Sequence, residues 1–167
     1  MSLGLTRYRA FRATVGALLC GFLASTFAAA QSFQLDDLMG LWAVKSTLGS
    51  STLYSVYQAT TGPGSLTLRY VRTDTVNPLP GQGQTQGLPA VYNLSVTDRS
   101  LSGTVTVGPG TMAGCSFEAR MFPVQGGRIS PDGNTITIVE NHDYLSVYPC
   151  EWRASSGESV MQLDRYH

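Results

Sequence analysis

The chain is 167 residues long and carries eleven basic and eleven acidic side chains, a formal net charge of zero. Lys45 is its one lysine, so no basic patch offers itself to nucleic acid or anionic lipid, whose recognition rests on neutralising phosphates. Outside residues 1–30 no run is apolar enough for a membrane-spanning helix, which needs about 20 such residues.

Residues 1–30 have the three-part form of a secretory signal peptide. Arg7, Arg9 and Arg12 make a basic region free of acids, residues 14–27 are apolar, and Ala28, Ala29 and Ala30 supply the small residues a signal peptidase reads. Cleavage is expected between Ala30 and Gln31, which gives a secreted or periplasmic protein; the alanine-rich site points to a bacterial periplasm. An anchor that is never cut is the alternative. Cys20 follows Leu19, too bulky for a lipidation site, and reads as an ordinary apolar signal residue. Loss of Arg7, Arg9 and Arg12 leaves eight basic against eleven acidic side chains, a net charge of −3. Residues 31–167 fit one domain, able to bury about two-thirds of its unfolded surface.

After the signal, Phe33, Leu35 and Leu38 can share one face of a single turn, too short for a stable helix. The rest reads as short β-rich runs separated by Gly, Pro, Asn and Asp. The runs fall at residues 41–48, 52–60, 65–73, 90–97, 100–107, 115–122, 135–140, 144–153 and 159–166. Residues 74–89, rich in proline, glycine and glutamine, break the series and read as a long loop, either a binding loop or a plain connection. No helical crossover separates the runs, so the sheet is expected to be antiparallel.

Alternation places one face of each strand inside. Leu66, Leu68 and Tyr70 share a face; so do Leu101, Val105 and Val107 with Gly103, and Ile136 with Ile138. Phe117 joins these as a candidate interior residue, one of several aromatics on or beside strands. Eight or nine such strands favour a closed up-and-down barrel, because closure removes exposed edges; a β-sandwich is the alternative. Cys115 and Cys150 remain after cleavage and read as a disulfide in an oxidising compartment. A metal site lacks partners, since His142 and His167 are the only histidines.

Gly40-Leu41-Trp42, preceded by the apolar turn and matched by Arg165 on the last strand, resembles the calycin pattern of lipocalins and avidin-like barrels. The resemblance implies a barrel with a short helical turn closing its floor, Trp42 as an apolar plug and Arg165 stacked on it. It carries Gly40, Trp42 and Arg165 only: the lipocalin T-D-Y region is not evident, and avidin's biotin-binding set finds no counterpart.

Catalytic motifs are missing. No G-x-S-x-G elbow, P-loop or dinucleotide fingerprint appears, and no cofactor is expected. Glu140, His142 and Asp143 read as a polar turn and not as a metal site, because neighbouring strand residues point to opposite faces. The sequon Asn93-Leu94-Ser95 lies within an expected strand. Three functions stay open: a binding protein for a small apolar or amphipathic ligand, a non-enzymatic interaction protein such as a protease or lysozyme inhibitor or envelope factor, and a barrel-type cyclase or isomerase. The last requires an ionisable side chain inside the barrel, with Glu118, Arg120, Glu140 and Arg153 the strand-borne candidates. Intact mass of the protein taken from its own host should correspond to residues 31–167; a mass retaining residues 1–30 would favour the uncut anchor.

Overall fold

The computed structural model describes residues 33–48, 51–76, 89–141, 143–147, 149–154 and 157–167. The expected signal segment with Cys20, His142, and residues 77–88 of the expected loop lie outside them.

A 3₁₀ turn, Leu35–Leu38, precedes β1 (Gly40–Leu48), β2 (Ser51–Gly62), β3 (Ser65–Val76), β4 (Ala90–Thr97) and β5 (Ser100–Val107). A short hairpin of β6 (Gly110–Met112) and β7 (Cys115–Phe117) follows, then β8 (Arg120–Ile129) and β9 (Thr135–Glu140). A second hairpin, β10 (Tyr144–Val147) and β11 (Cys150–Arg153), comes before β12 (Ser159–Arg165). Eight strands close into an antiparallel barrel in the order β1-β12-β9-β8-β5-β4-β3-β2, while the two hairpins form separate two-stranded sheets. The path is up-and-down throughout, and the sandwich alternative falls away.

Three sequence expectations need correction. Residues 115–122 are not one strand: residues 115–117 belong to the first hairpin, and β8 begins at Arg120 and runs on to Ile129. Phe117 is therefore buried, at 6% exposure, but outside the barrel sheet and not on its interior wall. Residues 144–153 are likewise a hairpin, turned just before Cys150, instead of a barrel strand. The expected loop also starts late, because Asp74, Thr75 and Val76 continue β3 and pair with Tyr54, Leu53 and Thr52.

The β2–β3, β4–β5 and β8–β9 connections gather at one end. Between β4 and β5, Asp98 and Arg99 both take positive φ, 47° and 67°, which is the type I′ turn whose twist suits a two-residue hairpin. Gly103 has no side chain for a packing reason: a Cβ there would overlap the carbonyl oxygen of Asn93 on the neighbouring strand. At this closed end the interior is fully apolar. Leu38, Trp42, Leu66, Leu68, Ile129, Ile136, Ile138 and Leu163 are all completely buried.

Trp42 is the centre of that floor. Its indole Nε1 donates to the Leu38 carbonyl at 2.8 Å, and the Arg165 guanidinium lies 4.4 Å from its ring centroid. Arg165 in turn donates to the carbonyls of Met39, at 3.1 Å, and Asp37. Thr61 ties the same turn to the end of β2 by donating to Asp36 at 2.7 Å. Replacing Trp42 with Ala removes the plug and its hydrogen bond, and is expected to cost about 3–5 kcal/mol. Urea unfolding should show this as a lower midpoint; a midpoint unchanged from the parent would show that the floor does not depend on the indole.

Candidate functional site

Opposite the floor, the barrel wall is uneven. Pairing between β1 and β2 runs the full length, from Gly40↔Ala59 to Leu48↔Ser51, and β2 pairs β3 up to Thr52↔Val76. β1 meets β12 only through Trp42↔Arg165 and Ala43↔Asp164, and β3 meets β4 only from Ser65↔Ser95 to Arg69↔Val91. The far halves of β1, β2 and β3 thus rise beyond the closed part as a three-stranded wall on one side of the mouth. Both hairpins leave from this end too, since β5 and β8 pair at Val107↔Arg120 and β9 and β12 at Glu140↔Ser159.

Between wall and floor the interior changes character. Tyr57 sits edge-on to Tyr70, with ring centroids 5.8 Å apart, and to Tyr92, at 6.0 Å. Tyr92 donates its hydroxyl proton to Glu140 Oε2 at 2.9 Å, with the Met161 sulfur 3.6 Å away. Tyr70 and Thr73 share a hydrogen bond of 2.8 Å. Glu140 is the one charged side chain buried among the described residues, at 7% exposure. It occupies the next inward position after Ile136 and Ile138 on β9, so the strand's own alternation carries the carboxylate inside. Burial raises the hydroxyl pKa of Tyr57, with Glu140 adding to the effect, and raises that of Tyr92, with Tyr57 and Glu140 adding.

Glu140 therefore does not belong to the polar turn expected from its neighbours. Asp143 points elsewhere and pairs with Arg120 at 3.0 Å. Of the four ionisable candidates, Glu140 alone is inside; Glu118, Arg120 and Arg153 are exposed. The other interior candidates line the same barrel: Leu101 and Val105 are buried, and Tyr70 and Val107 are half-buried against the core. Tyr57, Tyr92 and Met161 were not singled out as site residues by sequence reasoning, although each follows the inward alternation of its strand.

The rim is fastened by chemistry of a different kind. A disulfide joins Cys115 of the first hairpin to Cys150 of the second across 5.5 Å between Cα atoms. Constraining a loop of about 35 residues stabilises the fold by about 3–4 kcal/mol on the chain-entropy model. Trp152 packs against Phe117 and Phe122, at 6.2 and 5.6 Å between centroids, beneath the guanidinium of Arg120 at 5.5 Å. Phe122 packs on the barrel core, so the second hairpin is anchored at the mouth. The disulfide fits an oxidising, extracellular or periplasmic compartment; among the described residues no helix is long and apolar enough to cross a membrane.

A depression of about 370 Å³ lies at the opposite end, between Gln34, Leu35, Asp36, Gly62, Pro63 and Gly64. It is open, sits beside the floor turn, and collects no buried ionisable group. Among the described residues no group of His, Cys, Asp and Glu could hold a metal ion. In comparisons with known proteins, no family model, no curated protein and no solved structure matches this chain.

The tyrosine layer sets a pH response. An unfolded tyrosine ionises near pH 10, whereas Tyr57 and Tyr92 keep their protons above that in the folded state. The folded form is then favoured by these groups below pH 10 and loses that advantage as pH rises further, at about 1.4 kcal/mol per pH unit for each tyrosine. Urea midpoints measured from pH 9 to 12 should fall, and the Tyr57→Phe and Tyr92→Phe substitutions should flatten the fall. A slope unaffected by either substitution would remove both residues as its source.

Proposed function

We propose that the protein is a secreted or periplasmic binding protein of calycin-like build, holding one small amphipathic molecule at the open end of the barrel. One observation carries the reading: a carboxylate is buried inside an otherwise apolar barrel, hydrogen-bonded to a tyrosine and facing the mouth side of the core. The apolar plug of the floor, Trp42, Leu38, Leu163 and their neighbours, lies apart from it in the same core. Burying a carboxylate works against folding unless hydrogen bonds and polar neighbours offset the lost hydration. An isosteric apolar residue at position 140 would continue the pattern of Ile136 and Ile138 without that penalty.

The surroundings suit an amphipathic guest. Half-buried Val44, Val107 and Phe122 offer apolar contact, and Ser55 and Thr73, paired across β2 and β3, add hydroxyls to the wall. Ligand sites commonly combine an apolar lining with a few converging polar groups. A barrel of about eight strands has room for one small ligand where side chains do not fill it. The signal pattern of residues 1–30 and the disulfide support a compartment outside the cytosol.

The interaction-protein reading draws on a separate observation, the two rim hairpins bolted together by Cys115–Cys150, with Met121 67% exposed beside them. A partner protein would meet that rim and would not require Glu140. Native mass spectrometry of the protein purified gently from its own host separates the two. A small molecule retained one-to-one and lost on denaturation is the expected result. A bare mass, with a second protein co-purifying instead, would overturn the carrier reading in favour of the rim.

A further inference from the structure

We infer that Cys115–Cys150 is a site of thiol–disulfide exchange: a dithiol attacking Cys150 opens the bond and frees the two rim hairpins, while the barrel stays closed. Both hairpins are excursions between strands that already pair with each other. β5 and β8 pair up to Val107↔Arg120, where the chain leaves for β6 and β7. β9 and β12 pair up to Glu140↔Ser159, where it leaves for β10 and β11. The ladders of the barrel are therefore complete without either hairpin. So is its core: none of the described residues packed in it comes from 110–117 or 144–153.

The hairpins depend on the bond more than the barrel does. They share no ladder with each other or with the barrel, and a two-stranded hairpin alone is marginal in water. Trp152 of the second packs on Phe117, but Phe117 sits on the first hairpin two residues from Cys115 and moves with it. The Arg120–Asp143 pair is partly exposed, and solvent screens it. Access sets the direction of attack: Cys150 is exposed and Cys115 is 4% exposed, so an incoming thiolate meets Cys150. The attacking sulfur bonds to Cys150 Sγ, the Cys115–Cys150 bond breaks, and Cys115 leaves as a thiolate that takes up a proton. The second thiol of the reagent then displaces Cys150, which is protonated in turn. Two electrons and two protons pass from the dithiol to the cysteine pair, and the dithiol becomes a disulfide. This holds whether or not the barrel takes a ligand.

Hydrogen exchange read by mass spectrometry, on the native protein before and after dithiothreitol, tests this. Reduction should proceed without denaturant. Peptides covering 110–117 and 144–153 should then lose protection, while those of β1 to β5 and β9 keep theirs. Protection lost across the barrel as well would make the bond a staple of the whole fold and overturn the inference. Hairpins whose exchange is unchanged by reduction would overturn it too, as would a bond that opens only in denaturant. A monothiol, glutathione, added to the native protein and quenched with acid, should be trapped on Cys150. Peptide mapping that places it on Cys115 instead overturns the assignment of the attacked sulfur.

Discussion

Two residue pairs, Trp42↔Arg165 and Ala43↔Asp164, form the whole ladder between the first strand and the last. A barrel seam this short depends on whatever reinforces it. Arg165 does most of that: it lies over the Trp42 ring and donates to two carbonyls of the turn that leads into β1. One side chain near the C-terminus thereby holds the indole, the floor turn and the closing strand. Just past it, the Tyr166 amide donates to the Leu41 carbonyl at 3.0 Å. The Tyr166 ring packs on Tyr54 and its hydroxyl donates to Asp74 at 2.7 Å. Hydrogen bonds from Arg72 and Tyr166 hold the Asp74 carboxyl below its usual range. The chain end thus crosses the outside of β1, β2 and β3, where Ala43 and Val56 are buried although they face away from the barrel interior.

Because the seam is short and low, strand pairing among the described residues is continuous at one end of the barrel and interrupted at the other. Above Ala43↔Asp164 the far half of β1 has no ladder to β12, and above Arg69↔Val91 the far half of β3 has none to β4. These halves stay together through their own hairpin pairing, with a register shift at Val56/Tyr57 that bends the wall. On the far side of the mouth the disulfide takes over the role that strand pairing has elsewhere, fixing two short hairpins that share no ladder. Three-residue strands such as β6 and β7 carry little pairing of their own, so a covalent tie matters more there than in the barrel.

Much of this was legible in the residues, and the misses have physical causes. Where apolar and polar residues alternate without interruption, as in β3, β5 and β9, the antiparallel barrel and its inward faces followed directly. β8 was missed beyond Phe122 because Pro123, Gln125, Gly126 and Gly127 break that alternation, and the ladder itself slips between Val124 and Gly126. Gly127 is where the close approach happens: a Cβ there would press on the Thr137 carbonyl and the Leu101 side chain. The run through Cys115 and the run through Cys150 each looked like one strand because periodicity cannot reveal a turn within a short apolar stretch. Glu140 is a subtler case. Composition grouped it with His142 and Asp143 as a polar turn, while its place on the 135–140 strand made it one of four interior candidates; the inward period of two from Ile136 was the signal that could have singled it out.

That last case shows where phase should outrank polarity. A glutamate in step with two buried isoleucines stays on the inner face unless the strand ends or bulges before it, and β9 pairs both its neighbours through to Glu140. The strand geometry then forces the carboxylate inward, and the surrounding sequence has to accommodate it. Tyr92, three strands away around the barrel beyond β8 and β5, does so from the matching inward phase of β4, with Met161 on β12 completing the contact. Residues 48 and 69 positions apart from Tyr92 in sequence meet at one point because three strands keep the same inward register. Along the barrel axis, stability and chemistry are thus separated. The floor layer closes the fold with apolar side chains, and the layer above it holds three tyrosines and the one charged side chain buried among the described residues, towards the end from which the hairpins leave.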